Sequence, residues 1–447
     1  MSRPNIVLFV LDTTRADHIG APDGSGVATE NLLRFATDSI RYDHAYATST
    51  WTVPSHGSLF TGLLPMSHLA TQENPRLDSE PPTLAELLGE RGYETVAFSN
   101  NSWLSGLTEL TRGFSTVEAI WRLTRGSTNE SSGHPTVEAV RAWLAERDRS
   151  RPFFLFVNLI EPHWPYNPPD EYLRQAARDR PELLDVARSN FTAIQWYAGG
   201  RRATQAMREA RAVRYEAEVL HLDAVVGELL GVLDAGGVFE DSLVAITADH
   251  GENLGERGHQ GHSFTLYEST LHVPLLIRPP RGAGSQARTR TEPVYLPDVF
   301  TTLARAAGVG KLPADVVGLD LLADPLPADR SIVGEYYEPI TFLARFPKGE
   351  AAQARIAQYR RRIRSIQVGN EKLIWASDGN HELYDLEVDP RELENVAGAR
   401  PERVASLSKQ LEVIVSRLSR SSSDPRPPLS LIDPDTIQNL RALGYVP

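Results

Sequence analysis

Three short islands of the chain hold residue types that do chemistry: Asp12-Thr13-Thr14, Thr52-Val53-Pro54-Ser55-His56 and Asp249-His250-Gly251-Glu252. The first aspartate and the Asp-His pair of the third island offer hard oxygen and borderline nitrogen donors, a set suited to a divalent cation. The middle island offers a hydroxyl. Threonine is a poor nucleophile at neutral pH, but coordination to a divalent metal lowers the pKa of a bound oxygen by many units. Pro54 fits the first turn of a helix, whose unpaired N–H groups would face an anion beside Thr52. His56, His163 and His262 are candidates to hold non-bridging oxygens or to protonate a leaving group, since an ordinary imidazole titrates near working pH. Taken alone, an Asp-His pair more often caps a turn and packs a loop histidine, so the islands matter only if folding brings them together.

The elements that must do so are legible. Ile6–Leu11 is a continuous β-branched and aromatic run ending at Asp12, the pattern of a strand buried on both faces of a parallel sheet. Similar runs recur at residues 95–98, 153–157 and 243–246, with helical patterns over 82–91, 135–147 and 213–234. Such alternation predicts an α/β fold with helices on both faces of the sheet. Ligands of these sheets gather beyond the carboxyl ends of strands, where Asp12 and Asp249 both fall. Asn101 follows a strand and suits either a pocket wall or a turn. Residues 168–212 form a polar, Arg-rich interruption around Trp196-Tyr197-Ala198-Gly199-Gly200, read as a surface helical insertion or a substrate-covering lid. From about residue 330 the texture changes to short strands split by Gly369-Asn370 and Asp378-Gly379-Asn380, then a helix over 401–418, a Ser/Pro-rich stretch and a tail helix near 434–443. The expected division is a catalytic unit over 1–330 and a C-terminal subdomain with a small antiparallel sheet over 331–447.

Composition narrows the function classes. The chain of 447 residues carries a net charge of −12, which argues against a nucleic-acid surface. It has no cysteine, so thiolate ligands, disulfides and a Cys nucleophile are excluded. No apolar run approaches the roughly 18 to 20 residues of a membrane span, and no signal peptide is visible, so a soluble, cytoplasmic protein is expected. Nothing in the sequence reports oligomeric state.

The islands together resemble the sulfatase branch of the alkaline phosphatase superfamily over nearly the whole chain. Pro4 to Asp12 with Arg15-Ala16-Asp17-His18 looks like the family's first strand and metal carboxylate, and Thr52-x-Pro54-Ser55 through Leu59-Phe60-Thr61-Gly62 like its nucleophile signature. Glu161-Pro162-His163 resembles its Asp-Pro-His segment. Asp249 to Glu252, Tyr267-Glu268 and Val273 to Ile277 are similar to its later metal block, as are Leu383 to Asn395 and Leu440 to Tyr445 to its C-terminal segments. The resemblance implies an alkaline-phosphatase-like α/β sandwich with a large, mostly parallel sheet.

Departures from the pattern shape the chemistry. Sulfatases carry Cys or Ser at position 52, oxidised to formylglycine; threonine's extra methyl on Cβ allows only a ketone, so formylglycine is excluded. The signature Arg is His56, the second of the paired N-terminal Asp residues is Thr13, and His262 stands for a later Lys. A threonine nucleophile resembles the phosphodiesterases and the phosphoethanolamine and lipoteichoic acid transferases of the superfamily, and His262 lies twelve residues after His250 as in the phosphoethanolamine enzymes. Those transferases have transmembrane helices that this chain lacks.

The reading is therefore a metal-dependent hydrolase or transferase of a small anionic ester, a phosphate diester or phosphonate ester first, through a covalent phospho-Thr52. Asp12, Thr52, Asp249 and His250 would hold the metal, with Zn²⁺ or Mn²⁺ favoured over Ca²⁺ by the imidazole. Thr52, His56, His163 and His262 would act in catalysis, with Asn101, His163 and His262 on the substrate. One cation is expected ahead of two, although the three imidazoles with Glu161 offer a second site. Sulfate-ester or sulfamate cleavage without formylglycine, and a catalytically silent binding protein, are the rivals. Asp17 and His18 read as structural and His44 and His68 as loop residues, while His259 competes with His262, and Thr48 and Thr50 with Thr52.

Overall fold

Strand β1 (Asn5–Leu11) is fully buried from Ile6 onward, which a strand can be only when both faces of its sheet are covered. A computed structural model describes residues 3–20, 27–123, 133–187, 197, 204–283, 287–344, 346–421 and 434–442. The main sheet adds β2 (Ile40–Tyr42), β3 (Glu94–Ser99), β4 (Thr116–Ala119), β5 (Phe153–Leu159), β6 (Ser242–Thr247), β7 (Leu275–Arg278) and β8 (Arg288–Arg290). Their order is β8-β2-β7-β6-β1-β5-β3-β4, and every pairing is parallel except the two made by β7. The expected mostly parallel sheet is present. Its short members β2, β4, β7 and β8 were not read as strands, because runs of three or four residues carry too little periodicity to stand out.

Register levels the carboxyl ends. Leu11 lies opposite Leu159, Val10 opposite Thr247, and Ser99 opposite Asn158. The residues that follow, Asp12, Glu161, Asp249 and Asn101, therefore leave the sheet along one edge. The helices used below are α1 (Thr52–Thr61), α2 (Pro135–Glu146), α3 (Gln205–Ala235), α4 (Leu296–Ala306) and α5 (Pro401–Leu418). The final residues of the 168–212 stretch are the start of α3, and two further short helices, Asp170–Ala176 and Leu183–Ala187, lie within it. Of the Trp196–Gly200 segment, read as part of a surface insertion or a lid, only Tyr197 belongs to the described residues.

The C-terminal strands β9 (Ser331–Tyr336), β10 (Ile363–Val368), β11 (Glu371–Ala376) and β12 (Glu382–Asp385) form the expected antiparallel sheet in sequential order. Gly369 supplies the left-handed turn residue between β10 and β11, at φ 59°. Ile332, Val333, Ile366, Leu373 and Leu383 share one apolar core with β1. An ion triad adds a polar tie. Lys372 of β11, 1% exposed, places Nζ 2.8 Å from Glu268 Oε1 and 2.9 Å from Glu392 Oε1, and Glu392 Oε2 accepts the Glu268 N–H at 2.7 Å. Burial opposes the charge on Lys372, but the two carboxylates outweigh it and raise its pKa. Lys372→Met removes the shared cation from buried Glu392 and half-buried Glu268, and about 3 kcal/mol of stability should go with it. An unchanged urea midpoint in Lys372→Met would show that the triad does not hold the two sheets together.

Candidate active site

Asp12 is the first residue beyond β1, and Asp249 the second beyond β6. One ligand atom from each, with one from His250, lies within 4.8 Å of the others, and all three residues are fully buried. Each has one end fixed and one end open. Asp12 Oδ2 accepts from Asn101 Nδ2 at 2.9 Å; Asp249 Oδ1 accepts the N–H groups of Thr13 and His250 at 3.2 and 2.9 Å; His250 Nδ1 donates to the Gly251 carbonyl at 3.0 Å. The opposite atoms, Asp12 Oδ1, Asp249 Oδ2 and His250 Nε2, are buried without a hydrogen-bond partner. Three such orphans in one dry spot are costly unless a cation meets them, and ligands steered by outer hydrogen bonds are the usual design of a metal site. The residues fit a divalent cation.

Electrostatics agree. Burial pushes the Asp12 carboxyl up to about 7 against the Asn101 hydrogen bond, and burial with the nearby Asp12 charge raises Asp249 well above the usual carboxylate range. A bound dication reverses both penalties. Among the described residues neither aspartate pairs with a lysine or arginine.

Thr13 has φ 56°, a left-handed conformation that is strained for a β-branched residue. The strain turns its N–H onto Asp249. Tyr215 of α3 holds the turn from the other side, donating to Thr13 O at 2.8 Å and accepting from Arg15 N at 3.0 Å.

Thr52 opens α1, with Trp51 extended at the N-cap and Pro54 in the first turn, as expected. Asn101 Nδ2, bonded to Asp12, also lies 3.5 Å from Thr52 Oγ1, so one amide spans hydroxyl and metal carboxylate. The competing hydroxyls are engaged elsewhere, Thr48 with Ser58 Oγ at 2.7 Å and Thr50 with Thr265 O at 3.3 Å.

His262 stacks on His250 at 4.5 Å and meets His163 at 5.3 Å, whereas His259 packs among Tyr197, Tyr267 and Tyr359. The structure thus brings His262, not His259, to the ligands. His56 sits behind Asp249: Nδ1 bonds Thr52 O at 2.9 Å and lies 3.5 Å from Asp249 Oδ2, with the ring edge-on to Phe60 and Phe156. The expectation that these imidazoles titrate near working pH is corrected. Burial lowers His56 to about 4, His163 and His250 to about 3, and His262 far down, so all are neutral. Nδ1 of His262 donates to Thr50 O at 2.9 Å and that of His163 to Trp164 O, which leaves the lone pair of each ring on Nε2.

Glu161 turns to another partner. His134 Nδ1 accepts the Thr136 N–H at the start of α2, so its Nε2 carries the proton and donates to Glu161 Oε1 at 3.4 Å. Burial would raise Glu161, but the His134 contact outweighs it and lowers it to about 2. Among the described residues the Asp12, Asp249 and His250 group is the one cluster with metal-ligand spacing. Asp17 pairs with Arg15, His18 packs on Tyr215, and His68 is buried against Ser58, all structural. Asn158, Tyr215 and Tyr197 were not read as site residues. Asn158 alone had a signal, an amide inside an apolar strand.

Carboxylates at strand ends, a helix-borne hydroxyl and this sheet order define an ester hydrolase of the alkaline-phosphatase-like fold. The family model for sulfatases matches residues 4–309, and the chain belongs to the sulfatase family. It is similar to arylsulfatase K of Rattus norvegicus, 26% identical over 94% of this chain and 79% of the relative, and to an arylsulfatase of Clostridium perfringens, 25% identical over 92% and 94%. In structure it matches the phosphonate monoester hydrolase of Agrobacterium radiobacter at TM-score 0.73 and 21% identity, covering 93% of this chain and 96% of that one.

Because burial raises both the Asp12 and the Asp249 carboxyl while His250 is already neutral, binding Zn²⁺ or Mn²⁺ at pH 7 should release protons. Calorimetry in buffers of different ionisation enthalpy reads their number. Binding without release, or undiminished binding to Asp249→Ala, speaks against this site.

Proposed function

We propose that the chain hydrolyses or transfers a singly charged phosphate diester or phosphonate ester through a covalent phospho-Thr52. The observation that carries this reading is the Asn101 amide shared between Thr52 Oγ1 and Asp12 Oδ2, which puts the hydroxyl beside the ligand set at a helix N-terminus. A divalent cation held by Asp12, Asp249 and His250 would supply Lewis acidity that lowers the pKa of the Thr52 hydroxyl and neutralises the ester's charge. Thr52 Oγ1 then bonds to phosphorus as the P–O bond to the leaving alcohol breaks, the proton of the Thr52 hydroxyl ending on that alcohol; in the second half water or an acceptor alcohol bonds to phosphorus, the Oγ1–P bond breaks and the attacking group's proton returns to Thr52 Oγ1. The N-terminal end of α1, the positive end of the helix dipole, favours the anion during both halves. Asn101 orients the nucleophile. His56 supports Asp249 and the first turn of α1 from behind.

His163 and His262 take the anion's side. As neutral rings they present a lone pair, so an anion draws a proton onto them and raises their depressed pKa values. With no fixed positive charge on these two rings, the site suits a monoanion better than a phosphate monoester dianion. The phosphonate monoester hydrolase among the structural neighbours acts on such a monoanion, which supports the reading by analogy.

Sulfate-ester cleavage by Thr52 is the second reading, favoured by the arylsulfatase relatives. A sulfate monoester is also a monoanion, so the charge argument does not separate the two. With metal loaded, aryl phosphate diesters and phosphonates should turn over faster than phosphate monoesters and sulfates. Thr52→Ala should lose at least about a thousandfold in kcat, and intact mass should show a phosphoryl adduct on the native chain alone. Full activity in Thr52→Ala ends the covalent mechanism, and sulfates as best substrates move the assignment to the second reading.

A further inference from the structure

Tyr197, a described residue of the 168–212 stretch, is buried beside the loop that carries His262. Tyr197 is 5% exposed, and its hydroxyl makes two bonds to a single residue, donating to Gln260 O at 2.7 Å and accepting the Gln260 N–H at 2.9 Å. Gln260 lies two positions before His262 and is itself 1% exposed. A backbone N–H and C=O at that depth require partners, and one phenol serves both.

The ring completes the fixation. It meets Phe264 edge-on at 5.1 Å and 89°, and Tyr359 at 5.2 Å. Phe264 has φ 71°, left-handed and strained for an aromatic residue, and is covered on its face by Tyr359 at 4.5 Å and 23°. The loop carrying His262 is thus held at Gln260 and Gly261 by a short antiparallel pairing with Asn253–Leu254, at Gln260 also by the Tyr197 hydroxyl, at Gly261 O by Asn253 Nδ2 at 2.7 Å, and at Phe264 by the aromatic cluster. His262 adds its own bond to Thr50 O at 2.9 Å. Of these restraints only Tyr197 comes from the 168–212 stretch.

We infer that Tyr197 is a positioning residue that sets His262 over His250 and so couples the 168–212 stretch to the anion side of the site. The inference rests on the reading of His262 as an anion-facing group. It assigns Tyr197 no contact with substrate or metal.

Tyr197→Phe tests it, since the ring and its packing remain while both bonds to Gln260 are lost. In the full-length, metal-loaded protein, hydrogen exchange over residues 259–265 should quicken while that of β1 stays unchanged. In ¹⁵N-histidine-labelled protein, the His262 Nδ1–H signal should shift or broaden. On the best ester, kcat should fall by about tenfold or more with metal affinity unaltered, a one-ångström displacement being enough for such a loss. In a His262→Ala background the same substitution should cause no further loss. Unchanged exchange and an unmoved His262 signal overturn the inference, as does a full additional loss of kcat in the His262→Ala background. A native enzyme inactive on every ester sinks the functional reading instead, and the exchange and imidazole signals then decide the role of Tyr197 by themselves.

Discussion

Two carboxylates at the ends of neighbouring parallel strands share one water-poor volume, and the rest of the site is arranged around that conflict. Left alone, Asp12 and Asp249 resist ionising, because burial and mutual repulsion both favour the neutral acids. The fold answers with donors on their outer oxygens: the Asn101 amide and the N–H groups of Thr13 and His250. It leaves the inner oxygens open. That asymmetry makes the repulsion useful, since the group that relieves it must be small, positive and placed between them.

The same economy of charge extends to the anion side. His56 and His262 occupy positions where the sulfatase pattern carries Arg and Lys, and here both are buried and neutral. On the proposed reading, positive charge on these rings would be acquired upon binding instead of being permanently present. A pocket of that type discriminates by how much charge the ligand brings, whereas a fixed guanidinium binds any anion that fits.

Much of this arrangement was legible in the sequence, for identifiable reasons. Strands β1, β3, β5 and β6 are buried on both faces and so write themselves as unbroken apolar runs, and the residue after each run is where function sits. Asp12, Asn101, Asp249 and His250 were read in this way, and Thr52 by the helix signal of Pro54. The ionisation of the histidines was not legible, because burial is set by chain segments far away in sequence. His56 is the clearest case. Its letter suggests an acid near neutrality, but Phe60 and Phe156 around it make it a neutral prop. Tyr215 and Tyr197 were invisible for a related reason: each acts through one hydroxyl on backbone atoms, with no spacing rule to mark it.

The edge-level register of β1, β5 and β6 has a consequence for how this protein ages and evolves. Because the ligand-bearing residues continue directly from central strands, the cation site opens only when the most protected part of the molecule opens. Heat should therefore abolish the ligand set and the global fold together, with no low-temperature stage in which an intact sheet carries a collapsed site. The loops farther out, freed from any duty to hold the ligands, can drift in sequence and retune what the pocket accepts while the reactive centre stays put.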